Sequence, residues 1–383
     1  MTTARINRRT ASAVLLALGA GARPARAQEA GVAAAAIAIG RVMPTGSPAF
    51  GSMARQHAGG AEACIASVNA QGGVNGRRLV LHDRDDGYDA ARAREQTRAL
   101  IEDDKVFALL GAVGSPTLPP IMEQAERHGV PLVGAASVGN EARLPPRKLV
   151  FPVRMAADGE AAAIVRHQAT VGSRRFVVLS SKEAYGPAGA AAFEAALREA
   201  GFAGTSIAFA GSDDARRVAA RLADARPDAI LLSVVPRPFA AVARHYGALG
   251  GHARMFGLSV IRIEDLGAEL GPLAEGIALS QVLPSPTSHS SLLAADFRRA
   301  LAAHAPGVAP SYHALEGYLE ARVLVEGLRR AGADPTRARL VAALESMSPH
   351  DFGGVLVRYG IGDRTGSTFS DLVMLAANGR TVS

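Results

Sequence analysis

Short apolar runs rich in strand-forming residues alternate with Ala-rich segments of helical length along nearly the whole chain. The runs are Ala33–Ile39, Arg78–His82, Val106–Gly111, Val130–Gly134, Leu149–Val153, Phe176–Ser180, Ile230–Val235 and Met255–Leu258. Ser52–Asn69, Asp89–Asp103, Ile121–His128, Gly159–Thr170, Ala188–Ala200, Asp214–Ala225 and Phe239–Leu249 lie between them and read as helices. Strands apolar on both faces must be covered on both faces, and helix-length connections supply the cover, so the pattern predicts parallel sheets of the α/β class. Asp89 is placed to cap a helix and Gly201 to end one. Gln71–Gly76 reads as a tight turn, with Gly76 suited to positive φ. Past residue 284 helices follow one another (Ser291–Ala303, Tyr312–Ala331, Pro335–Met347) before two short apolar runs, Val355–Val357 and Leu372–Ala376. The 383 residues exceed one ordinary core and predict two domains. With no linker composition between them, the chain is expected to cross from one to the other more than once.

The N-terminus reads as a secretory signal peptide over residues 1–27. Arg5, Arg8 and Arg9 precede an apolar stretch, Ala11–Ala22, and Ala25-Arg26-Ala27 supplies small residues for cleavage near Ala27. That stretch is shorter than the roughly 20 residues a membrane span needs. Arg8-Arg9 fits the twin-arginine consensus only in part, and no Cys follows the cleavage point to carry a lipid. Five of the 42 basic residues fall in this leader, leaving 37 against 35 acids, so the formal +7 becomes +2 in the mature chain. That near balance, with no basic run interleaved with aromatics, argues against nucleic acid as a partner. Cys64, the single cysteine, cannot form an intramolecular disulfide and is read as a small buried hydrophobe on the face of Met53, His57, Ala61, Ile65 and Val68.

Several motifs, in this order and spacing, carry a resemblance. They are Asn69-Ala70-Gln71-Gly72-Gly73-Val74-Asn75-Gly76-Arg77, Asp85-Asp86-Gly87-Tyr88-Asp89, Val106 through Thr117, Ala184-Tyr185-Gly186 and Thr368-Phe369-Ser370-Asp371-Leu372. Together they resemble the type I periplasmic binding proteins, in the leucine-isoleucine-valine-binding branch that serves ABC importers. The resemblance implies two doubly wound parallel-sheet lobes joined by three crossovers, near Phe151–Arg154, Gln281–Ser285 and Gly354–Gly360. The N-terminal lobe would then comprise 28–153 plus 284–356, and the C-terminal lobe 154–283 plus 357–383. It also implies a periplasmic location, an inner-membrane ABC permease as partner, and a monomer.

Doubly wound sheets bind ligands at the carboxyl ends of their strands. Gly111–Thr117 leaves one such strand and enters a helix, where hydroxyls and free N–H groups would suit a carboxylate. Ser115 matches the family's carboxylate-binding serine, though it could instead only cap the helix, and Thr117 follows it. Pro116, Pro119 and Pro120 lack N–H groups and leave open which amides are free. Ala136 and Ser137 match the second carboxylate loop, and Tyr185 the tyrosine of the opposite lobe, with a ring to cover the ligand and a hydroxyl to offer it. Phe50 falls near a family aromatic, with a core role equally open. Ser259 completes the expected set.

The stretches corresponding to the family's second tyrosine and ammonium-binding acid, Val234–Pro236 and Leu258–Ile261, contain no acid, although Glu264 is just downstream. A buried ammonium without a counter-charge is costly. The expected ligand is therefore a carboxylate with an apolar or aromatic body, not necessarily an α-amino acid. A sensory subunit of the same fold and a secreted α/β hydrolase using Ser137 are the alternatives; the latter needs a His and an acid that sequence cannot place. No cofactor or metal is expected. The ten His include no pair at i,i+3 or i,i+4, and Asp83–Gly87 departs from a calcium loop in its glycine position and in having Arg94 where the closing Glu belongs.

Overall fold

A computed structural model describes residues 29–183, 185–211, 214–347, 349–376 and 381–382. The leader expected over residues 1–27, Ala184 of the tyrosine turn and residues 377–380 lie outside the described residues.

Two open sheets organise the chain. In the first, β1 (Ala36–Met43), β2 (Arg78–Asp85), β3 (Ala108–Val113), β4 (Leu132–Ala136) and β5 (Val150–Phe151) take the order β2-β1-β3-β4-β5 with every pairing parallel. Helices α1 (Gly51–Ala70), α2 (Ala90–Glu102) and α3 (Leu118–Arg127) connect successive strands. The fully buried β4 alternates its side chains between two cores: Leu132 packs with Leu109, Ile121 and Met122, while Val133 packs with Leu110, Leu315 and Leu319. That two-sided burial is why the strand reads as a continuous apolar run rather than an alternating one. Asp89 caps α2 as expected, accepting the Arg92 N–H at 2.8 Å.

The second lobe repeats the plan. It contains α4 (Ala157–Thr170), β6 (Phe176–Ser181), α5 (Gly186–Glu199), β7 (Gly204–Phe209), α6 (Ala215–Ala225), β8 (Ala229–Ser233), α7 (Pro236–Ala248), β9 (Arg254–Gly257), α8 (Ile263–Leu270) and β10 (Ala278–Gln281). Its parallel order β7-β6-β8-β9-β10 matches that of the first sheet and is extended by two antiparallel strands, β14 (Asp371–Leu375) and β15 (Thr381–Val382). The edge strand β7 had no apolar run to announce it, because only Ile207 and Phe209 of its side chains are buried.

Helices α9 (Leu292–His304), α10 (Tyr312–Ala331) and α11 (Arg337–Glu345) return to the first lobe, where Phe297, Leu315 and Leu340 share a core with Ile37 and Val133. A small antiparallel sheet of β11 (His350–Asp351), β12 (Leu356–Gly360) and β13 (Asp363–Ser367) follows. Its packing corrects the expected lobe boundary. Val357 and Tyr359 are buried in the first lobe's core, the Tyr359 hydroxyl donates to the Pro152 carbonyl at 3.0 Å, and the Ser367 N–H donates to Val153 at 2.7 Å. The third passage therefore runs through 368–370 rather than Gly354–Gly360. The other passages run through 152–156 and 282–291, between β5 and α4 and between β10 and α9.

Candidate functional site

The carboxyl ends of the two parallel sheets face each other across a cleft of about 620 Å³. Loops after β1, β2, β3 and β4 bring Phe50, Tyr88, Ser115 and Ser137 to one wall; those after β6, β8 and β9 bring Tyr185, Val235 and Val260 to the other. Of the residues singled out in the sequence, Phe50, Ser115, Ala136, Ser137 and Tyr185 line this one cavity. Thr117 and Ser259 do not. Thr117 is buried with its hydroxyl donating to the Val113 carbonyl at 3.1 Å, because it closes the turn into α3. Ser259 lies behind the wall, its N–H and hydroxyl both donating to Glu160.

Three further expectations are corrected by local geometry. The first turn of α3 offers no free amide: Leu118 donates to Gly114 and Ile121 to Thr117, and Pro119 and Pro120 have no N–H. An anion there would rely on the loop before the helix. The Tyr185 hydroxyl is not free either, since it donates to the Val234 carbonyl at 2.8 Å, so this residue presents its ring to the cleft. The Ser137 hydroxyl donates to Glu141 and accepts the Gly139 N–H at 3.0 Å, with no histidine among its described partners. A hydrolase elbow has no base there.

Tyr88 was missed. Its ring stacks on Phe50 with centroids 4.1 Å apart, making a continuous aromatic wall. Its backbone sits at φ 68°, a left-handed conformation unusual for a bulky side chain, and the Asp86 carboxylate holds it there by accepting the Tyr88 N–H at 2.8 Å. Asp86 is wholly buried, and its other carboxylate oxygen has no partner. Burial, reinforced by the charges of Asp85 and Asp89, pushes its pKa up to about 6 despite that hydrogen bond. The folded chain then binds an extra proton between about pH 4 and pH 6, and stability falls as pH rises through that window. Asp86→Asn keeps the acceptor and removes the charge. At neutral pH it should gain about 2–3 kcal/mol over the parent, a gain that vanishes below about pH 4. Urea melts at the two pH values check this; equal stability of the two proteins at both would mean that Asp86 ionises without penalty.

The cleft floor is charged, which the sequence did not disclose. Arg154, in the first passage between lobes, pairs with Glu160 of α4 at 3.0 Å and with Glu316 of α10 at 3.5 Å, and also donates to Ser259. Glu160 collects Arg154, the Ser259 N–H at 2.8 Å, the Ser259 hydroxyl at 3.0 Å and the Ser280 hydroxyl. One turn beyond Glu316, buried Glu320 meets His57 of α1 at 3.0 Å. Burial opposes the charge on each of these groups. For Arg154 the carboxylates outweigh it, and for His57 the Glu320 carboxylate does, so both pKa values are raised. Burial would likewise raise Glu316, but Arg154, His313 and His57 hold it well below the usual carboxylate range. The stretches Val234–Pro236 and Leu258–Ile261 hold no acid, but Asp265 and Glu269 just beyond the second of them and Glu316 of α10 all line the cleft. A signal did exist in the chain, since His313, Glu316 and Glu320 are charged or polar residues at i, i+3 and i+7 of a helix otherwise buried on most of its surface. Cys64 behaves as expected, a buried thiol whose pKa burial lifts to about 12.

Residues 36–380 match the periplasmic binding protein family. The chain belongs to that family. Leu/Ile/Val-binding protein homolog 3 of Brucella melitensis is 23% identical to this periplasmic binding protein over 349 residues, an alignment covering 89% of this chain and 92% of that one. A substrate-binding periplasmic protein from Ralstonia solanacearum superposes with a TM-score of 0.81 at 29% identity, covering 90% of this chain and 99% of its own. A fatty acid ABC transporter substrate-binding protein from Thermomonospora curvata shares the fold, with a TM-score of 0.80 and 20% identity over 93% of this chain and 92% of its own. Such a periplasmic binding protein is a solute-binding component, and its cleft is the feature around which both lobes are built.

Proposed function

We propose that this protein is the solute-binding component of an ABC importer of the branched-chain-amino-acid type. It captures a small carboxylate-bearing ligand in the periplasm and delivers it to an inner-membrane permease as a monomer, after loss of the leader near Ala27. It performs no chemistry on the solute. The observation that carries this reading is the cleft between the two sheets, with the Ser115 and Ser137 loops on one wall and the Tyr185 ring on the other. A ligand touching both walls favours the closed arrangement by its differential contacts, while one touching a single wall shifts nothing. The relatives support the reading by name: one is a Leu/Ile/Val-binding homologue and another a transporter's substrate-binding protein.

The test is a thermal-shift screen of the mature protein against amino acids and aliphatic and aromatic acids. A ligand at 100 times its Kd adds about 2.7 kcal/mol to stability. Ser115→Ala should weaken that ligand by roughly 10–100-fold, the loss of one hydrogen bond to a charged group. A screen in which no carboxylate raises the melting temperature would sink the proposal.

A further inference from the structure

A second cavity, of about 570 Å³, lies at the far end of the second lobe. The loops entering β6, β8 and β9 form it, at the amino ends of strands whose carboxyl ends face the cleft. Three arginines line it, Arg175, Arg226 and Arg254, against one acid, Asp228. Asp228 is fully spent. It accepts the backbone N–H groups of Arg174 at 2.9 Å and Arg175 at 2.8 Å, and the Arg175 guanidinium at 2.7 and 3.3 Å. Two positive charges are left over, on Arg226 and Arg254. Helices α4, α6 and α7 all end at this cavity, and a cation at a helix end commonly bonds the last carbonyls. Arg174 does so, donating to the Ala169 carbonyl at 3.1 Å. The side chains of Arg226 and Arg254 have no hydrogen bond, ion pair or ring contact among the described residues. Arg226 also holds a left-handed backbone, at φ 45°, directly after α6, where glycine is the usual residue.

We infer that this cavity is a second binding site, separate from the solute cleft, and that it takes a phosphate monoester on Arg226 and Arg254. A phosphate monoester carries about two negative charges at neutral pH, which matches the surplus of the cavity. Its three terminal oxygens can meet both guanidinium forks, whereas the two oxygens of a carboxylate satisfy one. The group esterified to the phosphate has apolar surface to rest on, since exposed Val171 and Leu249 and the ring of Tyr246 line the same cavity. The loop that carries Leu249 is pinned to that ring: Gly250 has φ 76°, and a methyl group at Gly251 would fall on Tyr246. The five residues of β8 separate the cavity from the cleft, roughly 17 Å along the strand, so phosphate and solute do not compete.

The experiment is calorimetric titration of the mature protein at low ionic strength with inorganic phosphate and phenyl phosphate. Beside it, flotation uses phosphatidylcholine vesicles with and without phosphatidic acid. Binding of the soluble probes marks a free phosphate ester as the ligand; binding confined to the phosphatidic acid vesicles marks a lipid headgroup. Arg226→Gly removes one cation and gives the left-handed position its preferred residue, so it should fold at least as well as the parent. That variant and Arg254→Gln should each weaken whichever probe binds by roughly tenfold. Arg216→Gln removes the same charge from an exposed site on α6 outside the cavity and should change nothing. Ser115→Ala alters only the cleft and should leave phosphate affinity intact. The inference is overturned if no probe binds in either arm, or if both cavity variants bind like the parent. An equal loss in Arg216→Gln overturns it as unspecific attraction, and a loss in Ser115→Ala as phosphate held in the cleft. Vesicles without phosphatidic acid that bind equally well overturn it as apolar adsorption.

Discussion

Arg154→Met is expected to lose about 3–5 kcal/mol of stability, because it removes one partner of a buried ion cluster and leaves the others charged. In melting temperature this is a drop of roughly 4–7 °C for a chain of this size. The guanidinium is the element that joins the lobes electrostatically: Glu160 belongs to the second lobe, Glu316 to the first, and both carboxylates are nearly sealed from water. Glu160 cannot be rehydrated without opening the floor of the cleft, and Glu316 meets water only through the cleft itself. The loss should be largest at neutral pH and shrink in acid, where protonation neutralises the carboxylates. It should also be relieved when Glu160→Gln and Glu316→Gln accompany Arg154→Met, since the triple variant buries no net charge. Scanning calorimetry of the three proteins without ligand checks both statements. An Arg154→Met protein that melts with the parent would show that the cluster contributes nothing to folding.

Gly60→Ala should cost about 3 kcal/mol, at the upper end of what overpacking a core usually costs. A methyl group at Gly60 would fall on the backbone carbonyl of Ala314, and one at Gly317 on the backbone carbonyl of His57. Helices α1 and α10 thus touch backbone to backbone at two reciprocal glycines, and no flexible side chain can yield. The helix propensity gained, up to about 1 kcal/mol, opposes the clash and is outweighed by it. Since His57 rides on α1 and Glu316 on α10, separation of these helices should weaken ligand binding along with stability. Gly307→Ala, where an added methyl meets nothing within 4 Å, is the matched control and should be close to neutral. Equal unfolding midpoints in urea for Gly60→Ala and Gly307→Ala would refute the close approach.

Much of this molecule was legible because its signals are local. The apolar runs located most of the strands, since a strand buried on both faces has nowhere to place polar residues. The Asp89 cap and the Gly76 turn, with φ at 79°, followed from rules that act within four residues. The cleft rim was legible for the same reason, as the loops that carry Phe50, Ser115, Ser137 and Tyr185 each leave a strand end. Strands without an apolar run escaped, among them β7 and the polar β13, whose sequence Asp363–Ser367 reads as a turn. Missing β13 is what misplaced the third passage between lobes.

What the amino-acid order determined alone was therefore the α/β class, the division into two lobes and the loops from which a site could be made. Only the folded arrangement decided how the side chains are spent. It turned Thr117 and Ser259 away from the cleft, tied the Tyr185 hydroxyl to Val234, and gathered Arg154, Glu160, Glu316 and His57 into one charged floor. Arg154 and Glu316 are 162 residues apart in the chain. Periodicity reports what a residue does within its own helix or strand, whereas an ion pair depends on which distant surface the fold presses against it.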